Sequence, residues 1–150
     1  MKHRQHGVAV VEFALVLPFL LLLAFITTEY GRALYQYNTI TKSVRDAVRF
    51  LSIQDPGTMT TEAKNLVVYG SVTNTGAPLA FGLSIDQVQA PTWQLKGADP
   101  VINTVTVTIA GCATSAPPCY KFVPLFSGAF GVNFGNINYA DISATMRAAL

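Results

Sequence analysis

Charge is scarce in this chain. Only 12% of its 150 residues are Asp, Glu, Lys or Arg, and the formal net charge is +2, too small a surplus for a nucleic-acid footprint. Histidine is scarcer still: both copies, His3 and His6, fall within the first six residues. A Ser or Cys nucleophile needs a base, and past residue 6 the usual Ser-His and Cys-His arrangements have none. The same gap leaves a zinc-type site short of ligands, so neither a metal nor another cofactor is expected. Asp55, Glu62, Asp86, Asp99 and Asp141 are scattered and read as turn, cap or surface residues. Gly128, Gly131 and Gly135 form Gly-x-x-Gly-x-x-x-Gly, which is neither a Walker A loop nor a dinucleotide fingerprint and lacks the strand-to-helix setting. A Gly-rich loop leading into the last strand accounts for them. No internal repeat is visible, and an enzyme is not expected.

What the chain has instead is one long apolar run. Val8 to Ile26 are apolar apart from a single carboxylate, Glu12, five positions after Gly7. As a helix this run reaches roughly 28 Å, close to the thickness of a bilayer's hydrocarbon core. Glu12 sits near its start, where an ionised group is costly and usually has a task. Lys2 and Arg4, with His3 and His6, precede the run, so the positive-inside rule keeps the N-terminus cytoplasmic and sends the chain beyond Ile26 across. Arg32, Lys42, Arg45 and Arg49 outnumber Glu29 and Asp46 on the far side, so the orientation rests on the short leader. A secretory signal peptide competes, but it would end at a small-x-small cleavage site. Ala24-Phe25-Ile26-Thr27-Thr28-Glu29 offers no such site, and the helical pattern continues through it.

Leu34, Tyr37, Thr41, Val44, Val48 and Leu51 recur at steps of three and four, one stripe of an amphipathic helix. Lys42 and Asp46 can pair across a turn on the other side. One helix therefore extends from about Val8 to Ser52 and stops at Asp55-Pro56-Gly57, since Pro cannot continue the ladder. A shorter helix comes next, capped by Thr60 or Thr61 and ending near Tyr69. Beyond Gly70 the composition favours strands. The clearest is Val101 to Ile109, where Val105, Val107 and Ile109 alternate with threonines. Others are expected near Leu83 to Trp93, with Pro91 marking an edge or irregular strand, and near Ile137 to Met146. Asn74 to Phe81 reads as a loop. The expected fold is α+β: a long N-terminal helix packed by a small C-terminal antiparallel sheet, divided into a basic leader (1–7), a membrane-spanning segment (8–28), an amphipathic continuation (29–54) and an exported α+β domain (55–150).

The segment Gly7-Val8-Ala9-Val10-Val11-Glu12-Phe13-Ala14-Leu15-Val16-Leu17-Pro18, then Glu29-Tyr30-Gly31-Arg32, then Arg45-Asp46-Ala47-Val48-Arg49-Phe50, resembles the TadE-like family. These are minor pseudopilins of the tight-adherence (Flp, type IVb) pilus machinery, and Ser143 to Arg147 resembles the family's final strand. Where family members often carry Arg or Lys just before the Gly, this chain has Gln5 and His6. The resemblance implies a pilin-like fold and processing by a prepilin peptidase at the Gly7–Val8 bond. It further implies pairing of Glu12 with the new α-amine of Val8 or with that of a neighbouring subunit. The plain alternative leaves Glu12 in the hydrated interface. Pro18 either eases extraction of the helix from the bilayer or is an ordinary tolerated membrane proline.

The implied setting is a single-pass protein of the bacterial inner membrane, its N-terminus cytoplasmic and its C-terminal domain periplasmic, with incorporation in an extracellular pilus as a further step. Implied partners are the prepilin peptidase, other pilins or pseudopilins met through the N-terminal helix, the inner-membrane assembly platform and the lipid bilayer. Nucleic acid is not among them. In such a compartment Cys112 and Cys119, six residues apart around Pro117 and Pro118, are expected to form a disulfide rather than a redox or metal site. Two other readings stay open: a pseudopilin of a type II-like secretion system, and a plain membrane-anchored periplasmic interaction module.

Overall fold

A computed structural model describes residues 5–126, 128 and 135–149, with side chains from residue 7 onward. The leader residues Lys2, His3 and Arg4, the His6 side chain and Gly131 lie outside the described residues. The elements in order are helix α1 (Gln5–Leu51), helix α2 (Thr60–Tyr69), a 3-10 turn (Ile85–Gln87), and strands β1 (Thr92–Lys96), β2 (Ile102–Ile109), β3 (Lys121–Phe122), β4 (Ile137–Asn138) and β5 (Ile142–Arg147). The fold is α+β, a long N-terminal helix succeeded by a small antiparallel sheet. It divides into two units, Met1–Leu34 with Pro124–Gly135, and Tyr35–Val123 with Asn136–Leu150.

In the first unit α1 is exposed along its apolar length: Phe19 is 75% accessible and Leu15 68%. The helix tolerates its internal Pro18. Thr27 and Thr28 return their hydroxyls to the carbonyls of Leu23 and Ala24 at 2.8 Å, so the first polar side chains after the run bring their own hydrogen-bond partners.

In the second unit the rest of α1 supplies one wall of the core. Ile40, Val44, Ala47, Val48 and Leu51 pack with Ala63, Val67 and Val68 of α2 and with Val105, Val107 and Ile109 of β2. The buried line is rotated from the expected stripe. Val44, Val48 and Leu51 lie on it, whereas Tyr37 is exposed and Thr41 only half-buried, and Gln36, Ile40 and Ser43 are buried instead. In the first unit Leu34 is likewise exposed beside a buried Ala33. The reason is chemical. Gln36 accepts a hydrogen bond from the Tyr120 hydroxyl at 2.9 Å, and Ser43 satisfies itself on the Ile40 carbonyl at 2.9 Å, so polar residues that no hydropathy pattern selects take interior positions. Lys42 and Asp46 do not pair; among the described residues the ion pair is Arg32–Glu29.

The sheet order is β1-β2-β5, antiparallel throughout, with a separate two-stranded sheet of β3 and β4. The expected strand from Val101 is β2. The one near Leu83–Trp93 is displaced: Ser84 donates its amide to Gln87 Oε1 at 3.0 Å, closing a 3-10 turn, and the strand starts only at Thr92, after Pro91, as an edge. The expected strand Ile137–Met146 is split into β4 and β5. Nor do Thr60 and Thr61 cap α2. Met59 occupies the cap with φ 51° and no side-chain bond, because the chain enters from a turn in which Thr58 bonds the Asp55 carbonyl through both its amide and its hydroxyl.

Candidate functional site

Gly7 and Glu12 both lie inside α1 and are exposed. The helix starts at Gln5, so the Gly7–Val8 bond is helical rather than extended. Nothing lies within 4 Å of where a Gly7 side chain would begin. Glu12 is four residues after Val8, so the two share a helix face, amid exposed Val10, Val11 and Phe13. This helix is long and apolar enough to cross a membrane.

A second carboxylate on the same helix has a different role. Glu29, 5% exposed, accepts the amides of Leu125 and Phe126 on Oε1 at 3.0 and 3.2 Å. Its Oε2 takes Arg32 Nη1 at 2.7 Å. Phe126 stacks on Phe25 with ring centroids 4.8 Å apart. Glu29 thus holds a loop segment against the helix within the first unit, using a charged acceptor for two otherwise unmatched amides. In sequence it appeared only as part of the Glu29-Tyr30-Gly31-Arg32 motif; an acid three positions before a base at the end of an apolar helix is the signal that marks it.

Cys112 and Cys119 are joined, with sulfurs 2.01 Å apart and a sequence separation of seven. The loop they close is anchored by Asp141. Its Oδ1 accepts from the Gly111 amide at 2.8 Å, the Thr114 hydroxyl at 2.7 Å and the Ser115 hydroxyl at 2.9 Å. Its own amide donates to Thr114 Oγ1 at 3.0 Å. Gly111 is crowded: a side chain there would strike the carbonyls of Tyr139 and Ala140. That close approach, together with the Asp141 clasp, pulls 139–141 out of strand pairing and splits β4 from β5. Tyr139 itself stacks on Tyr120 at 5.8 Å and meets Tyr37 at 5.6 Å; burial, and then the nearby Tyr37, hold its phenol above the ordinary range.

Hydrogen bonds from Thr114, Gly111 and Ser115 hold the Asp141 carboxyl below its ordinary value of 3.8. A depressed carboxylate stabilises the fold fully above its unfolded pKa, and that contribution is lost as pH falls through the folded value. Thermal melts should therefore show an acid limb below about pH 4 that flattens in Asp141→Ala, with the variant less stable at neutral pH. Replacing both cysteines with Ser should independently cost about 1–3 kcal/mol for so short a loop, read as a lowered melting midpoint without loss of secondary structure by circular dichroism.

Asp55, Glu62, Asp86 and Asp99 are not brought together, and among the described residues no group of three His, Cys, Asp or Glu is placed to hold a metal. No curated protein and no solved structure matches the chain. The family model described as TadE-like protein does match, from Gly7 through Arg49, and over that segment this chain is a TadE-like protein, as its motifs indicated.

Proposed function

We propose that the protein is a minor pseudopilin that takes part in assembling tight-adherence type IVb pili and is processed by a prepilin peptidase after Gly7. The observation that carries the reading is the TadE-like match, which begins at Gly7 and covers the exposed apolar helix. The helix anchors the protein in the inner membrane with its N-terminus cytoplasmic, and the domain beyond it is periplasmic. Processing requires the first turn of α1 to unwind into the peptidase. Gly7 makes this cheap, since a helical Gly is about 1 kcal/mol less favourable than Ala. The cut leaves an α-amine on Val8, one turn from Glu12. In the filament that amine, or a neighbouring subunit's, meets the Glu12 carboxylate among packed apolar helices and offsets the cost of burying it. Partners are the peptidase, other pilins through this helix, and the assembly platform; the protein serves as a structural subunit rather than a catalyst.

Glu12→Ala tests the reading. The substitution makes the span more apolar, so membrane insertion should be intact, while pilus number counted by electron microscopy should fall severely. Normal piliation would return Glu12 to a solvated interface role and leave a plain membrane anchor as the better account. N-terminal sequencing of the wild-type protein from piliated cells should start at Val8.

A further inference from the structure

Strand β5 is an edge whose open side is free over a defined stretch. The Ala148 amide donates to the Asn103 carbonyl at 2.9 Å. Antiparallel pairing alternates, so Met146, Ala144 and Ile142 also turn their backbone groups toward β2. The odd-numbered residues turn theirs away. Two of these outward amides are taken within the chain: Asp141 donates to Thr114 Oγ1 at 3.0 Å and Ala149 to the Ser52 carbonyl at 2.8 Å. Between them the amides of Ser143, Thr145 and Arg147 meet no partner among the described residues.

A groove of about 410 Å³ runs beside this stretch, lined by Arg45 of α1 and by Ser143, Ala144, Thr145 and Met146. Ala144 and Met146 stand opposite the core residues Val107 and Val105 and share their face of the sheet, so the groove has an apolar floor beside a guanidinium. We propose that this edge receives an extended segment of another protein as an added strand, with small apolar side chains over Ala144 and Met146 and a carboxylate against Arg45. Main-chain bonds to the three outward amides supply affinity, and Arg45 supplies selectivity. A second copy is the poorer occupant. Pairing β5 with β5 would bring two Arg45 side chains and two Arg147 side chains to one interface, and donating β1 would bring Lys96. Like charges across a strand pair are unfavourable, whereas an acidic strand removes the conflict.

The test uses the full chain in detergent and a fluorescent peptide of about eight residues, the length of a strand, alternating Thr with Val and Asp, against the same peptide with Lys for Asp. The acidic peptide should bind at least tenfold more tightly by anisotropy, and Arg45→Glu should reverse the preference. Thr145→Pro should abolish binding while leaving the β2 pairing, because only an outward amide is lost and edge strands accept Pro there. In the unmutated protein, peptide addition should slow hydrogen exchange at Ser143, Thr145 and Arg147. Equal binding of both peptides, or no change in exchange, overturns the proposal. Self-association that Thr145→Pro removes overturns it too, and assigns the edge to a second copy.

Discussion

Gly7→Trp should abolish N-terminal maturation altogether. When the protein is coexpressed with its prepilin peptidase, mass spectrometry should find the wild type shortened to begin at Val8 and the variant retaining its leader. A peptidase must take the backbone at the cut in an extended form and close around it, and Gly alone presents no side chain there. Trp brings the largest obstruction available. The structure makes the result interpretable, because nothing lies within 4 Å of a side chain built at Gly7. Trp therefore costs the fold nothing, and a block in processing reports on the peptidase rather than on misfolding. Gly7→Ala should be processed more slowly, since it stabilises the helical turn that must open by about 1 kcal/mol. A Trp variant trimmed to Val8, or a wild type left intact beside an active peptidase, would sink the pseudopilin reading.

Glu29→Ala should release the segment around Leu125 and Phe126. Two amides now end on one buried carboxylate oxygen, and hydrogen bonds to a charged acceptor contribute about 1.5–3 kcal/mol each. The amides can recover part of this from water once the segment opens, so the net loss should be roughly 3 kcal/mol, about a hundredfold in local opening. Hydrogen exchange at Leu125 and Phe126 should accelerate by that factor, with β2 amides unaffected. Glu29→Gln keeps an oxygen for the amides and loses the charge that Arg32 meets, so its effect should be smaller, about 1 kcal/mol. Equal effects from Ala and Gln would mean that the Arg32 pair, not the amide bonds, holds the segment.

The strongest elements were readable because each rests on a local rule. The α1 signal is repeated over dozens of residues, and Asp55-Pro56-Gly57 stops it by removing a donor and favouring a turn. The alternation Thr104 to Ile109 has only one good solution, a strand with Val105, Val107 and Ile109 inward. The α+β class, the one long apolar helix and the TadE-like motifs are set by residues near one another in the chain.

What the sequence left undecided depends on partners far away in it. Gln36 is interior because Tyr120, 84 positions later, brings it a hydroxyl. The segment near Ile137 breaks into two strands because Asp141 reaches back to Gly111, Thr114 and Ser115, and its hydrogen bonds outweigh continued pairing. Glu29 is buried because a loop nearly a hundred residues on presents two amides to it. The open stretch of β5 exists only because its neighbours at either end are satisfied, by Thr114 and by the Ser52 carbonyl. Periodicity places apolar side chains, since their burial depends on local repeat and area. Buried polar groups need a specific partner at a specific distance, and only the tertiary structure can supply one.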